Sequence, residues 1–432
     1  RLSKFSPGHP SETMMGAETI LIPDPRVVQD FDPSTNASSS QAGNGEEQLN
    51  SLTLHPGADC VLLQVKNGHE IPLCYLEPET EAAPISSYLI ADAGSSGFGV
   101  FVSNPIERGD LIMRERPLLV YPQLVPFHRD LPPEHAYPEL DEALSRLPVH
   151  RRESFFRLVN SHPEEPSRVK GIIDTNALHI GSLPGSTQEY AGVCKDTSRI
   201  NHSCSPNAAY RFDLDTFSIE VRALFPIPAG SQVFISYIDP AQPRDARQQA
   251  LSDYGFVCAC AYCSLTGPAL AQSETRRGLI ARADADHAAR DAALERWARD
   301  PIMPDDYINR VDKMYMDLFD AEQLYYEPVW EGFASRLCKA CCAVEDAEGS
   351  QMWARLARTL TCAYTGKERG WAAVEAAPER TEWWGLRRKN TRFSSVATAQ
   401  VSSILQDNEV VSHCGVVERQ HSKHPPDTST GV

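Results

Sequence analysis

Short apolar runs broken by turn residues fill the first half of the chain, and apolar stripes at three- and four-residue spacing fill the second. VLLQV (61–65) and IPLCYL (71–76) have strand length, and KNGHE between them predicts a hairpin. SYLIAD (87–92), GVFVS (99–103) and LIMRERPLLVY (111–121) are separated by AGSSGFG and NPIERGD, which supply Gly, Ser and Asp where the chain must reverse. Leu140, Ala143, Leu144 and Leu147 share a helix face, and ESFFRLV continues the pattern past Pro148. Strand texture returns at FSIEVRALFPI (217–227) and QVFISYI (232–238), joined by the turn PAGS.

Beyond Cys263 the period becomes helical. Ile308, Val311, Tyr315, Leu318 and Phe319 form one stripe, and Phe333, Leu337, Ala340 and Cys341 another. Met352, Trp353, Leu356 and Leu360 form a third, with Gly366 as its stop. Residues 274–300 alternate in charge sign and read as a solvated helix face. Residues 1–50, with the run NASSSQAGNGEE, and the polar tail 396–432 predict disorder. No fixed repeat period emerges.

Composition adds limits. The 432 residues are 41% hydrophobic and 23% charged, as in ordinary globular proteins. No apolar run approaches the roughly eighteen residues of a membrane span, and no apolar stretch near the start reads as a signal peptide. A net charge of −17 argues against nucleic acid and favours basic protein partners. Twelve cysteines without a secretion signal suit metal or free thiols better than disulfides.

Four short stretches carry candidate chemistry. In GSSGFGVF (94–101), Gly97 and Gly99 allow close approach of a ligand, yet they equally suit a plain turn. No third glycine and helix follow, which excludes a dinucleotide fingerprint. In CACAYC, Cys258, Cys260 and Cys263 bring three thiolates to one tetrahedral ion, and Cys204 is a candidate fourth ligand. The alternative is buried free thiols. SRINHSCSPN (198–207) contains a glycosylation sequon, but that means little without secretion, and a Cys204–His202 nucleophile would lack an orienting third group. In QVFISYID, alternation sets Val233, Ile235 and Tyr237 on one face, where Tyr237 alone would pass for a core residue.

Their order is more specific than any one of them. G-x-G, then NHSC-x-PN, then ISY, then Y-x-F-x-C-x-C-x-x-C resembles the SET domain of protein lysine methyltransferases, closest to the SET-and-MYND branch and its fungal relatives, across roughly residues 86–265. The resemblance implies an α+β fold of small sheets with knot-like C-terminal threading. It divides the chain into a disordered region (1–50), a strand-rich pre-SET segment (51–85), a SET domain (86–240), a zinc-binding post-SET segment (241–268), a helical domain (269–395) and a disordered tail (396–432). It implies S-adenosylmethionine as cofactor, bordered by Gly97, Phe98, Gly99, Asp174, Asn176, Ser198, Asn201, His202, Tyr237, Tyr254 and Phe256. Tyr237 takes the role of the catalytic tyrosine, and Cys204, Cys258, Cys260 and Cys263 enclose one structural zinc. The implied activity is methyl transfer to a lysine of a histone or another protein, by a monomer in the nucleus or cytoplasm and not secreted. A silent SET domain serving as a scaffold is the alternative. A zinc hydrolase is excluded, because four cysteine ligands leave no open coordination position. Two departures stand out. Ser231-Gln232 replaces the acidic pair usual before ISY, and the MYND cysteine/histidine cluster is missing between 117 and 175.

Overall fold

The computed structural model describes residues 19–23, 52–57, 59–65, 88–184, 186–300 and 302–388. The tail expected at 396–432, most of the N-terminal span expected to be disordered, and the turn and strand expected at 66–76 lie outside these residues. The architecture is α+β, as expected.

Strand β1 (Leu52–Pro56) pairs antiparallel with β2 (Val61–Val65). VLLQV is therefore a strand, but the hairpin seen here is made with the segment before it. β2 continues in parallel onto β6 (Leu119–Pro122), followed by β8 (Glu189–Val193) and β7 (Leu178–Ser182), in the order β1-β2-β6-β8-β7. The strands before residue 66 are thus built into a larger sheet rather than standing as a unit apart. Helices α1 (Pro138–Arg146), α2 (Val149–Phe156) and α3 (Arg168–Asn176) follow β6 in the chain. They bury Leu140, Leu144, Phe155 and Ile172 against Val61, Leu119 and Val193.

LIMRERPLLVY does not stay in one sheet. Its first half, β5 (Leu111–Glu115), joins β11 (Ser218–Ala223) and β10 (Ala208–Asp213), while its second half is β6. The break falls at Arg116-Pro117, where proline removes a ladder donor and its ring packs over Gly192. A hairpin of β3 (Tyr88–Asp92) and β4 (Phe98–Val102) lies alongside 230–233, through Val102 N–H to Ser231 O and Val233 N–H to Val100 O. Finally β9 (Asn201–His202) and β12 (Phe234–Ile235) pair in parallel over only two residues each.

The helical half comprises α4 (Arg244–Leu251), α5 (Gly267–Ala281), α6 (His287–Arg299), α7 (Tyr307–Glu322), α8 (Glu327–Ala343), α9 (Ala347–Thr365) and α10 (Trp371–Ala376). The three predicted stripes fall on α7, α8 and α9, and Gly366 ends α9 with φ 68°. Residues 274–300 depart from the solvated face expected of them. They form parts of two helices, with Arg277, Ile280, Leu294 and Trp297 buried. Residues 19–23 also depart from expected disorder: Ile22 is buried in the helical core, and Ile20 exchanges backbone hydrogen bonds with Arg380 and Glu382. Leu224 and Phe225, just past β11, share that core with Phe319, Trp330 and Phe333, so sheet and helices are packed as one interior. Among the described residues no helix is long and apolar enough to cross a membrane.

One polar seam faces α9. Glu220, its side chain 1% exposed, takes Arg114, Arg211 and Arg222 at 2.6, 2.9 and 3.3 Å. Burial alone would raise its pKa, but the Arg114 hydrogen bond and the neighbouring guanidinium charges outweigh it and hold the carboxyl below the ordinary glutamate range. Replacing it (E220Q) leaves three partly exposed arginines short of a counter-charge and should cost about 2 kcal/mol in urea unfolding. Because the folded pKa is depressed, the wild-type advantage is complete above the ordinary glutamate value of 4.5 and shrinks as pH falls through the lower folded value. An unfolding series from pH 7 to pH 3 checks both magnitude and sign.

Candidate functional site

Three loops meet where β4, β9 and β12 lie together. The first carries the glycines. Gly97 leaves the preceding turn at φ 72°, a conformation that side chains with a Cβ rarely adopt. Gly99 leaves room for two side-chain amides. A methyl there would collide with the Gln232 amide and come within 3.1 Å of Asn201 Nδ2. Asn201 Nδ2 donates to Phe98 O at 3.1 Å, which ties β4 to β9. Gln232 Nε2 is buried beside Gly99 without a hydrogen-bond partner, so this corner still has a polar donor to offer.

The second and third loops meet through His202 and Tyr237. Tyr237 N–H donates to His202 Nδ1 at 3.1 Å, which leaves Nε2 as the protonated nitrogen, 3.3 Å from Cys204 Sγ. Burial lowers the His202 pKa to about 4, so the ring is neutral and serves as a bridge. The Tyr237 hydroxyl donates to Ile200 O at 2.6 Å. Burial first, and then the neighbouring Tyr254, push that phenol above its ordinary range, so it keeps its proton. An aromatic wall surrounds the pair, with ring centroids 4.9 Å apart for Tyr237–Tyr254, 5.4 Å for His202–Tyr237 and 6.3 Å for His202–Phe256.

Behind this wall lie the cysteines. The Sγ atoms of Cys204, Cys258, Cys260 and Cys263 all lie within 4.8 Å of one another. Cys204 is 3.9 Å from Cys258 and 3.5 Å from Cys263. A tetrahedron of sulfurs about 2.3 Å from a central ion has edges of about 3.8 Å, so the four could hold a metal ion. Hydrogen bonds from Cys204 and then Cys258 hold Cys260 and Cys263 below the ordinary thiol range, while Cys204 and Cys258 are pushed above it. Buried Arg247 on α4 adds positive charge, with Nη2 3.8 Å from Cys263 Sγ.

Residues 97–238 match the SET domain family. This chain carries a SET domain. It is 30% identical to the histone-lysine N-methyltransferase set5 of Schizosaccharomyces pombe over 41% of this chain and 50% of that protein. It is 33% identical to the N-lysine methyltransferase SMYD2 of Rattus norvegicus, over 30% of this chain and 27% of that one. A SET and MYND domain-containing protein of Dictyostelium discoideum is 41% identical over 22% of this chain and 30% of its own length. The chain thus spans half or less of the length of the curated relatives it matches.

The fold brings together Phe98, Gly99, Asn201, His202, Cys204 and Tyr237 of the SET domain with Tyr254, Phe256, Cys258, Cys260 and Cys263 just beyond it. Other expected residues are engaged elsewhere. Asp174 turns outward to an ion pair with Lys170 Nζ at 2.5 Å. The amide nitrogen of Asn176 is committed to Val159 O and Ile172 O, at 2.6 and 2.7 Å. Ser198 links Asn176 O to Cys194 N–H and so holds α3 to the loop before β9. Two further residues position the site without having been singled out in the sequence. Glu115 accepts backbone N–H bonds from Lys195, Asp196 and Thr197, with a shortest distance of 2.7 Å to Thr197. Asn207 accepts from Phe234 N at 2.7 Å and donates to Gln232 O at 2.9 Å, so it clamps the strand that leads to Tyr237. Nothing in a strand-end glutamate advertises this role. Asn207 at least sits in the NHSC-x-PN signature.

Truncating Asn207 (N207A) should orphan a backbone donor and acceptor and cost about 2 kcal/mol. Chemical denaturation together with faster amide exchange at Phe234 measures the effect.

Proposed function

We propose that this chain is an S-adenosylmethionine-dependent protein-lysine N-methyltransferase with one structural zinc. The observation that carries the reading is the convergence of β4, β9 and Tyr237 in the family's order around one aromatic corner. The named activities of the relatives support the same reaction class. Parallel pairing of β9 with β12 across an intervening excursion of the chain agrees with knot-like threading.

S-adenosylmethionine, when bound, supplies an electrophilic methyl group on a sulfonium. Gly97, Gly99 and the backbone around Asn201 and His202 would border it. The orphaned Gln232 amide offers a donor that the family's acidic residue at this place would not. Both ring nitrogens of His202 are engaged, so His202 would contribute backbone and ring face rather than a ring N–H. Asn176 and Ser198 would act through the same loop, and Asp174 only from the rim.

In-line transfer needs alignment more than acid–base groups. The attacking lysine must be neutral, which from its ordinary pKa near 10.4 costs about 4–5 kcal/mol at pH 7. Tyr237, Tyr254 and Phe256 would line an apolar passage that disfavours the ammonium form. Because the Tyr237 hydrogen is spent on Ile200 O, its oxygen lone pairs remain available to accept from the amine N–H or to hold the donor methyl by weak C–H···O contact. An acidic chain suits a lysine-rich substrate segment, such as a basic histone tail.

Calorimetry should give a 1:1 complex with S-adenosylmethionine, and labelled methyl should pass to histone or peptide arrays. Removing the hydroxyl (Y237F) should keep cofactor binding and slow transfer about 100-fold. Binding without transfer in the wild type would make the chain a scaffold, and absence of binding would remove the enzyme reading. Elemental analysis should find one zinc per chain, lost together with thermal stability in C260S, because structural zinc contributes on the order of 10 kcal/mol to folding.

A further inference from the structure

One buried arginine on the helical side reaches the back of the signature loop. Arg277 on α5 is fully buried, and its guanidinium is divided between two structures. Nη1 donates to Cys204 O at 2.8 Å and to Pro240 O at 2.5 Å, and Nη2 donates to Ser205 Oγ at 3.0 Å. Nε meets Glu322 Oε2, at the end of α7, at 2.8 Å. Glu322 is 0% exposed and also takes Arg276 Nε at 2.6 Å and Ser273 Oγ at 2.7 Å. Ser205 Oγ in turn donates to Glu322 O at 2.8 Å. The guanidinium also lies 5.0 Å over the Tyr262 ring, inside the cysteine segment.

We propose that Arg277, held by Glu322, is a positioning residue for the cofactor loop, so that two helices outside the SET match form the rear wall of its active site. One rigid, planar group spans the Cys204 carbonyl, the Pro240 carbonyl beyond Tyr237 and the Ser205 hydroxyl. It therefore fixes the turn after β9 and the turn after β12 relative to each other. The pair is buried on both sides, so loosening it transmits to backbone rather than to water. A lysine at 277 could satisfy one of these acceptors at a time but could not reproduce the fork. The consequence for the cofactor rests on the methyltransferase reading; the backbone grip does not.

The test compares wild type with R277K and with the isosteric E322Q, each held well below its melting temperature. Amide exchange at 201–205 and 234–238 should accelerate about tenfold in R277K and about threefold in E322Q. The KM for S-adenosylmethionine should rise by similar factors while the KM for the lysine substrate stays put, a split that simple loss of folded protein would not produce. If R277K does not fold, E322Q decides alone. Wild-type exchange in the folded variants overturns the inference whether or not cofactor binds. A wild-type protein that ignores S-adenosylmethionine removes the functional reading and leaves the exchange result to judge the grip.

Discussion

The parallel pairing of two-residue strands, Asn201–His202 with Phe234–Ile235, is the constraint on which the rest of the site depends. Such a pair cannot hold itself. Its few backbone hydrogen bonds are worth about 1 kcal/mol each, while closing the roughly thirty-residue excursion between its strands costs about 3 kcal/mol or more. The deficit is met from outside. Asn207 clamps β12 from one side, His202 Nδ1 takes the Tyr237 amide from another, and the cysteine cluster and Arg277 hold the loop from behind. His202, Cys204 and Asn207 belong to the signature loop itself, whereas Cys258, Cys260, Cys263 and Arg277 reach it from later segments, so the pairing is secured only when those segments have folded against it.

His202 shows how closely the two halves of the site are coupled. One side of its ring supports the segment bearing Tyr237, and the other reaches the Cys204 sulfur. A neutral imidazole is required for this double role, and burial supplies it. Arg247 brings positive charge to the same side, where metal-bound thiolates would otherwise accumulate negative charge in a poorly solvated place. The aromatic wall then separates that charged rear from the face on which the chemistry would occur.

Much of this was legible in the sequence because apolar periodicity records burial. VLLQV, GVFVS, the three helical stripes and the Gly366 stop fall on the elements the pattern set, although Val311 and Met352 of those stripes lie exposed. The signature order also pointed to the four cysteines that the fold gathers. What stayed hidden shares a physical cause: the decisive side chains are charged or polar, and their partners come from remote elements. Arg277 sits in a stretch whose alternating charges resemble a solvated surface, yet its acceptors lie on the signature loop, just past Tyr237 and on another helix. Glu115 looks like an ordinary strand-end charge until the loop at 195–197 folds over it. LIMRERPLLVY reads as one strand, because periodicity cannot tell which sheet each half will join.

The rear of the loop, with its four cysteines, sets the shape of its front. The direct measurement is to strip metal from the purified protein with a chelator while following S-adenosylmethionine affinity in the same sample. The expected result is that cofactor affinity falls in step with metal content and returns when zinc alone is added back. Full cofactor affinity in protein freed of metal would contradict it.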